Sequence, residues 1–262
     1  MTKSTLKIGD ANPVSASDCT AIGRKPLDST CASSFERFSW FYAACRIHFF
    51  RDHTRLIAQS LWSTAGPDAG TRILELGCGP GFYSCRFAQL YPQIVATGVD
   101  LSPKLIHIAR SRAERLDLSN CDFVEADACA LPLPAESVDA VVISRLFLAV
   151  TDRFEVLSEV FRLLRPGGKC FIAEPISPLR ASMPLRCMQL LSVLAGKKLS
   201  SCPELHSAGV MTRHSFSAML RSQPWTTSSV EEDGRYQYSI CIKAAQTVDK
   251  LDCQEAHDLL PA

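Results

Sequence analysis

The chain has 262 residues, enough for one α/β domain with a sizeable buried core. Its 28 lysines and arginines nearly balance its 27 aspartates and glutamates, and a net charge of +1 excludes the strongly basic surface that grips nucleic acid. The 12 cysteines run from Cys19 to Cys253 without a C-x-x-C pair, which argues against both a disulfide framework and a metal site.

The cysteine pattern and the first residues also predict where the protein works. Scattered cysteines are typical of buried thiols in a reducing compartment, so we expect a cytoplasmic protein that binds no metal. Residues 1–10 lack the apolar run of a signal peptide. No stretch of the sequence reaches the roughly 20 apolar residues that a membrane-spanning helix needs.

The first 64 residues divide into two segments of different composition. Residues 1–33 are polar and rich in serine and threonine, which predicts a mobile N-terminal tail. Residues 34–64 are predicted to form a helical cap with a cluster of aromatic residues: Phe35, Phe38, Trp40, Phe41, Tyr42, Phe49 and Phe50. These rings either pack against a sheet edge or close over a ligand site.

A glycine-rich turn follows the first apolar strand. The strand at residues 71–76 carries Glu75 and leads directly into Gly77-Cys78-Gly79-Pro80-Gly81. A turn without Cβ atoms lets the backbone lie against a ligand. Dinucleotide-binding turns have the pattern G-x-G-x-x-G, and Phe82 stands in place of the third glycine here, which disfavours a nicotinamide or flavin site.

Strands and helices alternate through the next hundred residues. Apolar strands are predicted at 95–100, 121–128 and 137–144, and a fifth strand ending at Glu174 follows the turn at 162–169. Helices are predicted at 82–90, at 103–116 with Ser102 as N-cap, and at 153–164 with Asp152 as N-cap and Glu155 completing a capping box. Such alternation predicts a parallel sheet with helices on both faces.

The pattern changes after the fifth strand. Residues from about 179 to 199 form an apolar segment ending in Lys197-Lys198, which predicts either a lid helix or a helix lying on a membrane surface. Residues 225–232 and 235–243 flank Asp233-Gly234, a favoured hairpin turn, so two antiparallel strands are expected. Residues 246–262 are predicted to be a polar tail.

Five of these segments, in order, resemble the motifs of class I S-adenosylmethionine-dependent methyltransferases. They are Glu75 with its glycine turn, the strand ends at Asp100 and at Asp127-Ala128, the strand 137–144 and the turn 162–169. The resemblance implies an α/β fold with a doubly wound, mostly parallel seven-stranded sheet, a C-terminal antiparallel hairpin and a helical cap or lid. The domain with these motifs is expected to span residues 65–245.

The resemblance also implies S-adenosylmethionine as the cofactor. Asp100 would accept hydrogen bonds from the ribose hydroxyls, and Asp127 would accept from the adenine amino group beside the N–H of Ala128. The full set of residues implied in cofactor binding is Glu75, Gly77, Cys78, Gly79, Gly81, Asp100, Leu101, Asp127, Ala128 and Ser144.

The implied reaction is methyl transfer to an oxygen, nitrogen or carbon of a small, largely apolar acceptor. Glu174, Arg145 and Tyr236 are the candidate catalytic residues, because all three are expected at the rim where the strands end. The alternatives are structural: an ion pair of Arg145 with Glu155 or Asp152, and a contact of Glu174 with a neighbouring strand. Many relatives use a histidine after the fourth strand, whereas this chain has Ser144-Arg145-Leu146-Phe147 there, which also differs from the tetrad of amino-methylating DNA enzymes. The alternative is a non-catalytic subunit that binds S-adenosylmethionine for a partner.

Overall fold

A computed structural model describes residues 51–177 and 209–245. The predicted tails at 1–33 and 246–262 and the predicted lid helix at 179–199 lie outside the described residues, and so do the seven aromatic residues between positions 35 and 50. Of the predicted cap, the described part is residues 51–64.

Within the described residues, seven strands form one sheet with the order β3-β2-β1-β4-β5-β7-β6. The first five strands are parallel, and β7 pairs antiparallel with both β5 and β6. Their bounds are β1 Arg72–Leu76, β2 Val95–Asp100, β3 Cys121–Glu125, β4 Val138–Ser144, β5 Leu164–Pro175, β6 Trp225–Glu232 and β7 Tyr236–Lys243. The sheet therefore has the parallel strands and the terminal antiparallel hairpin that the sequence predicts.

Five α-helices are present in the described part of the chain: α1 Thr54–Leu61, α2 Phe82–Leu90, α3 Pro103–Arg115, α4 Arg153–Leu163 and α5 Arg213–Leu220. Ser102 caps α3 as predicted, since its hydroxyl accepts a hydrogen bond from the Leu105 N–H. The predicted capping box at α4 is wrong, because the Asp152 side chain makes no capping hydrogen bond. The helix also ends one residue early, since β5 begins at Leu164.

The hydrophobic core lies on both faces of the sheet. On one face, residues of α4 and α5 such as Val160 and Phe216 pack against Val141, Ile143 and Ile172. On the other face, α1 and α2 pack against the residues that alternate with these: Ile73, Ala140, Val142, Phe171 and Ala173. Because helices cover both faces, the central strands β1 and β4 are buried along most of their length, whereas β3 at the edge of the sheet is partly exposed.

Candidate active site

The glycine turn between β1 and α2 has left-handed backbone at three positions. The φ angles of Gly77, Gly79 and Gly81 are +65°, +53° and +68°, a region that residues with a side chain rarely adopt. Gly81 is also limited by space, because a Cβ there would lie 2.6 Å from the Phe123 ring. The sequence motif therefore reflects both backbone conformation and close packing.

Glu75 of β1 links the strand to the start of α2, just after the glycine turn. Its Oε2 accepts hydrogen bonds from the Ser84 N–H at 2.7 Å and from the Ser84 hydroxyl at 2.6 Å, and the residue is 5% exposed. Ser84 lies in the first turn of α2, so a carboxylate from the neighbouring strand satisfies a helix N–H that would otherwise lack a partner. This contact gives Glu75 a positioning role; cofactor binding by Glu75 itself stays a prediction.

Asp100 joins the end of β2 to the same turn. Its Oδ2 accepts from the Gly79 N–H at 2.8 Å, and its Oδ1 accepts from the Ser102 N–H at 2.9 Å. Burial raises the pKa of Asp100, while these backbone donors lower it, and the net effect is a raised pKa. Each carboxylate oxygen has two acceptor positions, so Asp100 can hold the turn and also accept from a ligand diol.

The remaining predicted cofactor residues lie along the same edge of the sheet. Leu101 follows Asp100 and is 54% exposed, an unusual state for leucine that suits contact with a flat ring. Asp127 and Ala128 follow β3, and Asp127 Oδ1 accepts from the Cys129 N–H at 2.9 Å. Cys78 is buried, and burial raises the pKa of its thiol.

Strand order brings these groups together. Because β2, β1 and β4 are neighbours, Asp100, the glycine turn and Ser144 lie side by side at the carboxyl ends of their strands. In open sheets of this kind, ligands bind outside these carboxyl ends. The left-handed turn, the Asp100 carboxylate and exposed Leu101 fit a nucleoside with a ribose diol.

Arg145 lies directly after Ser144 and carries a strained backbone. Its φ is +64°, which is uncommon for a residue with a side chain, and it is only 9% exposed. Its N–H donates to Ala173 O at 2.9 Å, which fixes the turn to β5. Its Nη1 lies 3.4 Å from the Tyr236 hydroxyl and donates to it.

Glu174 is buried at the same rim and is 2% exposed. Its Oε1 accepts from the Phe147 N–H at 3.0 Å. Burial raises the pKa of Glu174 to about 7, against the lowering effects of that N–H and of Arg145 and Arg153. A carboxyl group with such a pKa can exchange a proton near neutrality.

The hairpin places Tyr236 beside β5, as the sequence predicts. Tyr236 pairs with Pro175, and Gln237 pairs with Glu174. Because side chains alternate along a strand, Tyr236 and Glu174 start from opposite faces of the sheet, with Tyr236 on the face of α1 and α2. Arg145 lies between them, in hydrogen bond with Tyr236 and in electrostatic contact with Glu174.

The buried side chain of His53 also lies in this region. His53 is 3% exposed, its Nδ1 lies 3.4 Å from the Tyr83 hydroxyl, and its ring meets the Tyr236 ring edge-on at 4.7 Å. Its Nε2 is 3.7 Å from Asp233 Oδ2, which Arg51 also contacts at 2.9 Å. Asp233 was predicted only as a turn residue, and no sequence signal links positions 180 residues apart.

Asp233 is held as a carboxylate in this cluster. Burial raises its pKa, but the N–H groups of Tyr236 and Arg235 and the charges of Arg51 and His53 outweigh that effect, so the pKa is lowered. The residues the structure describes contain no group of three or more metal-ligating side chains and no helix long and apolar enough to cross a membrane.

Residues 67–230 match the family described as a methyltransferase domain, and since this is more than half of the chain, the chain belongs to that family. Among curated relatives, the demethylmenaquinone methyltransferase of Thermus thermophilus is 38% identical over 106 residues, covering 40% of this chain and 48% of that protein. The chain thus spans about half the length of the curated relatives it matches.

Solved structures show the same fold. A phosphoethanolamine N-methyltransferase of Haemonchus contortus in complex with S-adenosyl-L-methionine has a TM-score of 0.62 at 13% identity, covering 85% of this chain and 61% of that one. A SAM-dependent methyltransferase of Aquifex aeolicus has a TM-score of 0.57 at 16% identity, covering 78% and 97%. The predicted family and fold class are confirmed by these findings.

Proposed function

We propose that this protein transfers the methyl group of S-adenosylmethionine to a small, largely apolar acceptor, and that a reduced quinone ring is the first acceptor to test. The quinone proposal is supported by the relatives named demethylmenaquinone methyltransferase. The observation that carries the proposal is the buried Arg145–Tyr236 pair, which adjoins the cofactor residues through Ser144.

The cofactor side of the proposal depends on the edge formed by β1, β2 and β4. Asp100 would accept from the ribose hydroxyls while it holds Gly79, and Leu101 would cover one face of the adenine. Asp127 and Ala128 would meet the polar edge of that ring. When bound, S-adenosylmethionine supplies a methyl group already activated on a sulfonium, so the protein mainly has to align the acceptor and exclude water.

On the acceptor side, Arg145 would favour the ionised form of a phenolic hydroxyl. A nearly buried guanidinium attracts a phenolate oxygen strongly, because little water screens the charge. The Tyr236 hydroxyl already accepts from Arg145, so its own O–H remains a donor to the same acceptor oxygen. Ionising one hydroxyl of a quinol raises the electron density of the ring carbons, which would favour methylation at carbon.

Glu174 would act through Arg145 and the turn that follows β4. Its carboxyl group accepts from the Phe147 N–H and interacts electrostatically with Arg145, and we expect it to help position the guanidinium. A pKa of about 7 also suits a group that takes up the acceptor proton, either directly or through water. We expect positioning of Arg145 to be the larger contribution, because Glu174 starts from the sheet face opposite Tyr236.

Incubation of the purified protein with methyl-labelled S-adenosylmethionine and a short-chain naphthoquinol under reducing conditions tests the function. We expect labelled product whose methyl group is on the ring, with Asp100→Ala as the cofactor-deficient control. Extracts divided into lipid, small-molecule, protein and RNA fractions extend the search if the quinol is not methylated. Binding of S-adenosylmethionine without transfer to any fraction would contradict the proposal and favour the non-catalytic subunit.

A further inference from the structure

A cavity of about 560 Å³ lies between α2 and α3, and Pro80 of the glycine turn is part of its lining. Arg86 of α2 and Arg112 and Arg115 of α3 line it, together with Asp52. Its volume is in the range of sites that bind small organic molecules. Nothing in the proposed methyl transfer uses these arginines.

Positive charge is in excess in this cavity. Among the described residues, none of the three arginines forms a salt bridge, and the buried Nη1 of Arg112 has no hydrogen-bond partner. Asp52 is the one carboxylate in the lining, and its Oδ1 is engaged by the N–H and hydroxyl of Thr54. Three like charges around one concavity repel each other, and a buried donor without an acceptor is costly.

Arg112 interacts with two other residues that line the cavity, Phe82 and Cys85. Its guanidinium lies over the Phe82 ring, with 5.4 Å from Cζ to the ring centroid. It also helps to lower the pKa of the Cys85 thiol, after the larger effect of a hydrogen bond from Cys121 and against burial, which raises it. Arg112 is thus held in place by its contact with Phe82 while part of its hydrogen-bonding capacity is unused.

We propose that this cavity binds the phosphate group of an organic phosphate. Guanidinium groups match the paired oxygens of a phosphate, and the negative charge of a phosphate monoester or diester would offset the excess positive charge. Phe82 and Ile108 supply an apolar wall for the organic part of the ligand. The phosphate could belong to a soluble metabolite or to a phospholipid headgroup, since both present the same chemistry to the arginines.

Calorimetric titration with phenyl phosphate, and sedimentation with phosphatidylglycerol vesicles, separate these two sources. Phenol and phosphatidylcholine vesicles are the uncharged or net-neutral comparisons. Saturable binding of phenyl phosphate supports a soluble ligand, and binding to phosphatidylglycerol vesicles alone supports a lipid headgroup. Absence of saturable binding to either anion overturns the proposal.

Three variants make the test specific. Arg112→Gln and Arg115→Gln should each weaken binding of the responding anion at least tenfold. Arg221→Gln, which removes the same charge from an exposed position after α5, should leave it unchanged. Arg115 is exposed, so that variant remains informative if Arg112→Gln fails to fold. Equal binding by all variants would overturn the proposal, as would loss of S-adenosylmethionine affinity in Arg112→Gln, because the cavity would then belong to the cofactor site.

Discussion

The carboxylate of Asp100 accepts a hydrogen bond from the backbone N–H of Gly79 at 2.8 Å, so the acid at the end of β2 is tied to the centre of the glycine turn after β1. The second carboxylate oxygen accepts from Ser102, the N-cap of α3. One side chain therefore fixes the turn, the start of a helix and its own orientation. Ligand affinity should depend on Asp100 more than on any other acid at this edge.

Asp100→Ala should weaken binding of S-adenosylmethionine by about 2 to 4 kcal/mol, because it removes charged hydrogen bonds to two hydroxyl groups and loosens the turn. Asp127→Asn should be milder, since an amide oxygen can still accept from an amino group. Asp122→Ala, which removes an exposed aspartate of β3, is the control for loss of a carboxylate. Isothermal titration calorimetry measures the S-adenosylmethionine affinity of all three variants. Wild-type affinity in Asp100→Ala would show that Asp100 does not bind the cofactor.

Gly79→Ala should lower both stability and cofactor affinity. At a φ of +53° an alanine is strained by roughly 1 to 2 kcal/mol, and its Cβ would stand on a turn that we expect to lie against the ligand. Gly167→Ala separates the two effects, because Gly167 has a φ of +78° and nothing within 4 Å of an added Cβ. Denaturant unfolding should show similar losses for both variants, while titration should show weaker binding for Gly79→Ala alone. Equal affinities would make the turn purely structural.

The sequence predicted the parts of the fold that local pattern determines. Apolar runs marked the parallel strands, Ser102 marked the start of α3, and Asp233-Gly234 marked the hairpin. The glycine spacing was informative because positive φ angles restrict those positions to glycine. Strand order followed from the family resemblance, and it brought Asp100, the turn and Arg145 to one edge.

Contacts between distant segments could not be predicted in the same way. The first turn of α2 is capped by Glu75 from a strand, and no local signal distinguishes that role from ligand binding. His53 meets Asp233 and Tyr236 because α1 and the hairpin pack beside the same strand, β5. At α4, the favourable residue Asp152 makes no side-chain cap, which shows that sequence preference alone does not fix side-chain geometry.

Substitutions of Arg145, Tyr236 and Glu174 should lower methyl transfer without affecting cofactor binding. Arg145→Ala and Glu174→Gln should each reduce kcat/KM for the acceptor by roughly tenfold or more, with S-adenosylmethionine affinity within about twofold. Tyr236→Phe removes the hydroxyl that contacts Arg145 but keeps the ring against His53. Tyr238→Phe, the same change two residues away, is the control and should retain activity. Parallel losses of transfer and cofactor affinity would contradict the separation.

Glu174 also predicts a dependence of stability on pH. Burial raises its pKa in the folded protein from 4.5 to about 7, so the folded state keeps a proton that the unfolded state has lost in this interval. The stabilising contribution of the protonated group is complete below about pH 4.5 and is lost as the pH rises towards 7. At about 1.36 kcal/mol per pKa unit, the loss is on the order of 3 kcal/mol.

Glu174→Gln should remove this pH dependence and make the protein more stable than wild type at pH 8. The amide oxygen can still accept from the Phe147 N–H, and Gln237, which pairs with Glu174 across the two strands, has a buried Oε1 without a hydrogen-bond partner among the described residues. Urea unfolding at pH 5, 6.5 and 8 measures the effect, with exposed Glu125→Gln as the control for removing a carboxylate. The difference between Glu174→Gln and wild type should grow from pH 5 to about 7 and then level off. If the difference in unfolding free energy were constant across this range, Glu174 would be ionised throughout. That result would contradict a proton-accepting role for Glu174, although its contact with Phe147 would stand.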